Sequence, residues 1–205
     1  MAEAGRRRIV KQQASLRPNA EDTAANLQLT RCIGLGVSSS ALSWHRTPGI
    51  LAYTAGPAVV VINVESRVQL RLLRASGHPH TVFCCCAVGG RDGTLVAAGE
   101  KFVTNPGSLG PAAVVWEASN GRQLAALRHH KHGVNRVSWS PDGRLLATTG
   151  AHYDAQLCLW DWQNGTLLAK VSAQVEVHNL CWTEDGTALV SAGKEHLKAG
   201  HTNSA

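Results

Sequence analysis

The chain of 205 residues lacks several features that would direct it to a membrane or give it an active site. No apolar run approaches the roughly 18 residues that a helix needs to cross a bilayer, and the polar start does not resemble a signal peptide. The sequence has no Gly-x-x-x-x-Gly-Lys-Ser/Thr, Gly-x-Ser-x-Gly or His-Glu-x-x-His motif. We therefore expect a protein that is not an enzyme, needs no cofactor and does not enter a membrane.

Charged residues and spaced cysteine pairs are also scarce. Asp, Glu, Lys and Arg make up only 17% of the chain, whereas 20 residues are glycine. A glycine-rich sequence with little charge indicates many short strands joined by turns. Three of the cysteines are consecutive, no Cys-x-x-Cys pair occurs and the start does not resemble a secretory leader, a combination that favours a reducing compartment, so we expect a cytoplasmic protein. The six cysteines are Cys32, Cys84, Cys85, Cys86, Cys158 and Cys181.

A tryptophan-centred pattern is present and recurs with a period near 40 residues. Trp139 and Trp182 lie 43 residues apart, and each is followed by Asp-Gly after three residues and by glycine after eleven. A fixed period of this length is the mark of a repeat architecture. The same register upstream matches Asp92-Gly93, Gly99 and Trp116 with Asp142-Gly143, Gly150 and Trp160.

Residues 1–28 differ in character from the rest and are predicted to be a basic, disordered arm. The first 31 residues contain six Arg or Lys against three Asp or Glu and show no apolar periodicity. Such an arm can attract nucleic acid or an acidic surface. Basic runs of this kind are more often simply solvated and disordered, so nucleic acid is not the expected partner. Binding of nucleic acid or an acidic surface through the arm stays an alternative function.

From residue 29 to residue 198 the sequence predicts an all-β domain of antiparallel strands. The repeat divides it into units at about 29–76, 77–128, 129–172 and 173–198, and residues 199–205 form a divergent tail. Asn-Gly pairs at 120–121 and 164–165 are hairpin turns in matching places. Predicted strands are 32–37, 40–44, 50–54 and 59–64 in the first unit; 82–88, 95–98, 113–117 and 123–127 in the second; 134–139, 145–149, 156–160 and 167–171 in the third; and 177–182 and 188–191 in the fourth.

The third unit carries the most detailed motif. It contains a histidine four residues before its first strand, Ser-Pro-Asp-Gly at 140–143, and Trp-Asp at 160–161. This resembles the WD-repeat family of β-propellers. The resemblance implies a hydrogen-bonded chain inside the blade, in which a buried indole N–H meets a hydroxyl and an imidazole fixed by a carboxylate. The matching residues are His130, Thr149, Asp154 and Trp160.

The other units match the motif less fully. The second keeps His78 and Trp116 and therefore predicts a partial network, with Gly110 where the third has its aspartate. The first has Ile62-Asn63 in place of Trp-Asp. The resemblance thus implies an incomplete propeller of about three complete four-stranded blades plus a partial fourth.

Within that family the chain is similar to the amino-terminal propeller of the MAP-kinase-binding and microcephaly-associated scaffolds. The similarity rests on GILAYTAGPAVVVIN at 49–63, HKHGVNRVSWSPDGRLLATTGAHYDAQLCLWDW at 130–162 and LCWTEDGTALVSAGKEHLK at 180–198. It implies a non-catalytic protein-binding scaffold with kinases of the MAP-kinase cascade, spindle or centrosomal proteins, or further propeller blades as partners. The implied location is the cytoplasm, with association to the cytoskeleton at the centrosome or spindle pole.

Three further groups of residues are candidates for a role beyond packing. His129, His130, His132 and His152 lack the carboxylate or thiolate spacing of a metal site, so we expect no metal. Cys84 and Cys86 are predicted on one face of a strand and Cys85 on the other, as small packing residues. The insertion at 100–111 is a candidate interaction loop, because binding residues concentrate on loops of rigid sheets, although a neutral enlargement fits equally well. Its candidate residues are Lys101, Phe102, Asn105 and Leu109.

A third possible function is no independent function at all. Three and a half blades leave the faces of the first and last sheets uncovered. A chain of this kind is predicted to be marginally stable alone and to associate with other blades.

Overall fold

The computed structural model describes residues 36, 38, 40–45, 49–76, 81–101, 110–151, 153–173 and 175–201. All of them belong to one compact unit, Arg31–Ala205. The predicted basic arm at 1–28 lies outside the described residues. The described part of the chain contains strands and turns and no helix, so the predicted all-β class is confirmed.

The strands form four antiparallel sheets, which we call blades 1 to 4, and within each sheet neighbouring strands follow one another in sequence. Blades 1 to 3 have four strands each and blade 4 has three, so the prediction of three complete blades and a partial fourth is confirmed. Blade 1 contains β1 Leu42–His45, β2 Ile50–Ala55, β3 Ala58–Asn63 and β4 Val68–Leu73. Blade 2 contains β5 Phe83–Gly89, β6 Leu95–Glu100, β7 Ala112–Glu117 and β8 Gln123–Arg128. Blade 3 contains β9 Val134–Trp139, β10 Leu145–Gly150, β11 Gln156–Asp161 and β12 Thr166–Ser172, and blade 4 contains β13 Val177–Trp182, β14 Ala188–Gly193 and β15 His196–His201.

Two strands differ from the sequence-based expectation. The last strand of blade 1 is Val68–Leu73, whereas the predicted strand at 32–37 lies almost wholly outside the described residues. In blade 4 a third strand, His196–His201, runs into the predicted divergent tail. Both strands lie at the outer end of their sheet and are largely exposed. His196–His201 lacks the apolar alternation by which strands are recognised, whereas Val68–Leu73 has it at Val68, Leu70 and Leu72.

The turn after the first strand is built in the same way in blades 3 and 4. In blade 3, Asp142 Oδ1 accepts hydrogen bonds from Ser140 Oγ at 2.6 Å and from Arg144 N at 3.0 Å. In blade 4, Asp185 accepts the equivalent bonds from Thr183 and Thr187, which lower the pKa of its carboxyl group to about 2. The recurring Asp-Gly therefore marks a turn held by a carboxylate.

The core lies between blades rather than within them. Blades 1 and 2 share one apolar cluster around Trp116, and blades 2 and 3 share a second around Trp139 and Trp160. The cluster between blades 3 and 4 is the smallest, with Ala147, Ala173, Val177, Leu180 and Leu189 as its buried members. We infer that blade 4 is the least firmly held of the four, because local stability follows buried apolar contact.

Candidate functional site

A chain of three buried side chains crosses blade 3. Trp160 Nε1 donates to Thr148 Oγ1 at 3.0 Å, and the same oxygen lies 2.8 Å from His130 Nε2. All three residues are at most 5% exposed. One hydroxyl can accept from the indole and donate to an unprotonated imidazole nitrogen, so Thr148 satisfies both rings at once.

The hydroxyl expected in this chain was that of Thr149, and the structure corrects it to Thr148. Trp160 pairs with Leu146 across β10 and β11, and Thr148 lies two residues further along the same strand. Alternate residues of a strand share a face, so Thr148 faces the indole and Thr149 points to the opposite side. The Thr149 hydroxyl is buried and has no hydrogen-bond partner among the described residues.

Asp154 acts on the backbone that carries His130. Its Oδ2 accepts from Lys131 N at 2.7 Å and from His132 N at 2.8 Å. Gly150 makes the close approach possible, because a Cβ there would lie 2.5 Å from Asp154 Cβ and 2.8 Å from His130 Nδ1. Asp154 therefore fixes the turn before β9 and not, as expected, the imidazole itself: its carboxylate is bonded to two backbone amides, and His130 Nδ1 has no hydrogen-bond partner within the described part of the chain.

Burial sets the charge of His130. It lowers the pKa of His130 from 6.5 to about 4, against the opposing pull of the Asp154 charge. The folded protein therefore keeps this imidazole neutral down to about pH 4, whereas the unfolded chain protonates it below about pH 6.5. Since the unfolded state binds more protons in that window, stability falls as the pH is lowered through it.

We expect the free energy of unfolding to drop by about 2 kcal/mol between pH 7 and pH 5 on account of His130. Urea unfolding at a series of pH values measures it. Asp142, Asp161 and Asp185 have pKa values below those of ordinary carboxyl groups, so their effect on the free energy of unfolding falls at lower pH. A His130→Gln variant should lose this pH dependence, and an unchanged slope in that variant would assign the effect to other groups.

In blade 2 the buried indole N–H has a backbone carbonyl as its acceptor instead of a hydroxyl. Trp116 Nε1 donates to the carbonyl oxygen of Arg74 at 3.2 Å, and the residue at the Thr148 position is Ala98. His78, the other member of the predicted partial network, lies outside the described residues. Trp116 thus takes its acceptor from the backbone segment between blades 1 and 2.

The base of the candidate interaction loop is anchored. Glu100 Oε2 accepts from Ala112 N at 2.8 Å and lies 3.8 Å from Arg128 Nη1. Lys101 is exposed and forms a β-bridge with Gly133 of the next repeat. The other candidate residues, Phe102, Asn105 and Leu109, lie outside the described residues, so binding by this loop stays a prediction.

The histidines and cysteines make local contacts. His129 Nε2 lies 3.1 Å from Gln156 Oε1, and His152 is not among the described residues. Across the ranges that the structure describes, no three or more His, Cys, Asp or Glu residues are grouped so that they could hold a metal ion.

The cysteine triplet departs from the predicted alternation because β5 contains a bulge between Phe83 and Cys85. Cys84 and Cys85 both turn toward blade 3, with sulfurs 2.9 and 3.5 Å from Val134 O. Cys86 turns toward blade 1. Burial raises the pKa of the Cys86 thiol to about 12 and raises that of the Cys85 thiol well above its usual range. Both side chains therefore remain protonated and serve as small packing residues.

A second set of tryptophans joins each blade to the one before it. Trp139 Nε1 donates to Ala87 O of blade 2 at 3.2 Å, and Trp182 Nε1 donates to Ser138 O of blade 3 at 3.4 Å. The strand register puts these two tryptophans at one position of the repeat, and Trp44 of blade 1 has that position too. Trp44 is 61% exposed. The surface that blades 3 and 4 use for contact is therefore open on blade 1.

Comparison with known proteins agrees with this geometry. Residues 121–161 match the model of the family described as "WD domain, G-beta repeat". Among solved structures, the computationally designed Ika4 protein superposes with a TM-score of 0.60 at 22% identity, over 85% of this chain and 98% of that one. A chain of the Mitotic Checkpoint Complex superposes with a TM-score of 0.57 at 26% identity, over 73% of this chain and 43% of its own.

Curated relatives are much longer proteins. Centriole proteome protein 16 of Chlamydomonas reinhardtii is 30% identical over 78% of this chain and 9% of its own length. Mitogen-activated protein kinase-binding protein 1 of Mus musculus is 28% identical over 87% of this chain and 11% of its own. WD repeat-containing protein 90 of Xenopus tropicalis is 28% identical over 74% of this chain and 8% of its own. The chain thus spans about a tenth of the length of these relatives.

No helix within the described ranges is long and apolar enough to span a bilayer. The repeated blades, the matched repeat at 121–161 and the relatives that share them lead to one assignment. The chain belongs to the WD-repeat proteins of the β-propeller type.

Proposed function

We propose that the chain is a non-catalytic scaffold that binds proteins by stacking further β-sheets on its open blades. The observation that carries this proposal is Trp44, which is 61% exposed, whereas Trp139 is buried and Trp182 half-buried at the same repeat position. Exposed tryptophans are frequent energetic centres of protein interfaces. An open sheet face bearing one is suited to receive another sheet.

The occupant that fits this face is the last blade of a second copy. Cys181 of blade 4 stands where Ala87 and Ser138 stand in blades 2 and 3, and those two residues supply the carbonyls that accept the indole N–H. Cys181 is exposed. Trp44 of one copy would then donate to the Cys181 carbonyl of the next and repeat a contact made twice within the chain.

Replacing Trp44 by serine tests this proposal. We expect the wild-type chain to associate with itself and the variant to associate at least about tenfold more weakly, as for loss of an interface tryptophan. Sedimentation over a concentration series measures both. The control is Tyr153→Ser, since Tyr153 is an aromatic residue that is 84% exposed elsewhere on the surface. A compact wild-type monomer at every concentration would argue against the proposal.

The cellular role that we propose is assembly in MAP-kinase signalling or at the centrosome or spindle pole, from a cytoplasmic pool. The names of two relatives, a mitogen-activated protein kinase-binding protein and a centriole proteome protein, support it. Imaging of a fluorescently tagged chain beside a centrosomal marker tests the location. A signal with no enrichment at the marker would remove the centrosomal part of the proposal.

A further inference from the structure

A hollow opens between blades 3 and 4 at Gly200. The cavity holds about 230 Å³ and is lined by residues of β11, β12, β14 and β15, most of whose lining surface is apolar. A Cβ added to Gly200 would meet no atom within 4 Å. The space at this glycine is therefore unfilled by the described residues.

The strand register shows which side chain the hollow corresponds to. In blade 2, Trp116 pairs with Val96, and in blade 3, Trp160 pairs with Leu146. In blade 4 the residue paired with the equivalent Leu189 is Gly200. Gly200 thus occupies the position at which the two preceding blades carry a buried indole ring.

The walls of the hollow repeat the walls around those two rings. Trp116 packs in one cluster with Val59, Val61 and Leu73 of blade 1, and Trp160 packs in one cluster with Ala113, Val115 and Leu127 of blade 2. The residues of blade 3 at those three positions are Leu157, Leu159 and Val171, and all of them line the cavity.

Exposure shows that the described residues leave this wall uncovered. Leu73 and Leu127 are 1% and 4% exposed beneath their tryptophans, whereas Val171 is 57% exposed. The hydrophobic effect favours covering such a side chain again.

A polar acceptor lies in the same place as in blade 3. Ser191 corresponds to Thr148, because it lies two residues beyond Leu189 as Thr148 lies two beyond Leu146. Its Oγ lies 3.0 Å from His196 Nε2, and both residues line the cavity. A hydroxyl oxygen that bonds one histidine nitrogen can still accept an indole N–H, as Thr148 does.

From these correspondences we propose that the hollow at Gly200 binds the tryptophan side chain of a protein partner. The equivalent positions of blades 2 and 3 are each filled by a tryptophan of the chain itself. A third ring at Gly200 would make the same packing contacts and the N–H to hydroxyl bond seen in blade 3. This site lies apart from the Trp44 surface and does not depend on self-association.

Titration with N-acetyl-L-tryptophanamide, a soluble model of the side chain, tests the proposal. Methyl NMR of the wild-type chain should show saturable shifts at Leu157, Leu159, Val171 and Leu189. Ser191→Ala should weaken binding by about threefold to tenfold, as expected for one lost hydrogen bond. The Trp44→Ser variant should bind like the wild type, which separates this result from self-association.

Gly200→Trp is the decisive variant, because it supplies the ring from the chain itself. It should abolish binding of the probe and raise the melting temperature by a few degrees. Leu197→Trp is the matched control, since Leu197 is on the same strand, 76% exposed and absent from the cavity wall. Should Gly200→Trp not fold, Ala169→Trp fills the hollow from the facing strand and should block the probe likewise.

The absence of saturable shifts in the wild type, or undiminished binding by a folded variant with the hollow filled, would overturn the proposal. Binding of free indole without binding of N-acetyl-L-tryptophanamide would overturn it as well, because the site would then serve a small aromatic molecule.

Discussion

Replacing Trp116 by alanine is expected to lower the free energy of unfolding by about 4 kcal/mol, a loss typical of a large buried aromatic residue. Trp116 is fully buried between blades 1 and 2. Its ring meets that of Phe83 edge to face at 5.4 Å, and its indole N–H is bonded to Arg74 O. Alanine would leave a cavity and an unpaired carbonyl in the apolar cluster that these two blades share. Denaturant unfolding followed by circular dichroism measures the loss.

The matched control is Trp44→Ala, which makes the same substitution at a residue that is 61% exposed. For the monomer we expect a change within about 0.5 kcal/mol, as for other surface positions. Equal losses from the two variants would contradict the view that stability resides between the blades.

Replacing Thr148 by valine is expected to cost about 3 kcal/mol. Valine keeps the shape and removes the oxygen that serves both Trp160 Nε1 and His130 Nε2. Two buried polar groups then lose their partner, and each such loss costs about 1 to 3 kcal/mol. The same unfolding measurement applies, and the pH dependence assigned to His130 should change with it, because the imidazole loses its bond.

Thr149→Val provides the control one residue away. The Thr149 hydroxyl is buried and has no hydrogen-bond partner among the described residues, so its removal should be neutral or slightly stabilising. Comparable losses for the two valine variants would show that the hydroxyl of Thr148 is not what joins Trp160 to His130.

The strands that bury one face could be predicted from the sequence. β9 to β12 follow the predicted bounds to within about one residue, since apolar alternation and Asp-Gly or Asn-Gly turns mark both ends of each strand. β15 is held by backbone pairing with one neighbour and carries no apolar pattern, so the sequence does not indicate it. β4 alternates apolar and polar residues over Val68–Leu72 and could have been predicted.

The site could be predicted only in part. The family motif named Trp160 and His130, which the structure joins through one hydroxyl, but it placed that hydroxyl on Thr149, whereas the structure places it on Thr148. The choice between Thr148 and Thr149 follows from the strand register. Trp160 pairs with Leu146, and the residue two positions further along the same strand face is Thr148. The predicted orientation of Cys84, Cys85 and Cys86 was wrong because it assumed a regular strand. The bulge after Phe83 interrupts the alternation, and a bulge also becomes visible only with the strand register.

The indole-to-carbonyl bonds between successive blades all run in one direction, from each blade back to the one before it. The array therefore has a polarity, with a donor end at Trp44 and an acceptor end at Cys181. Two copies that met through identical ends would place donor against donor at Trp44 or acceptor against acceptor at Cys181. Contact through these ends is heterologous, and such contacts either close into a ring or continue into a filament. For the self-association proposed above, the sense of the tryptophan bonds therefore predicts a ring or a filament.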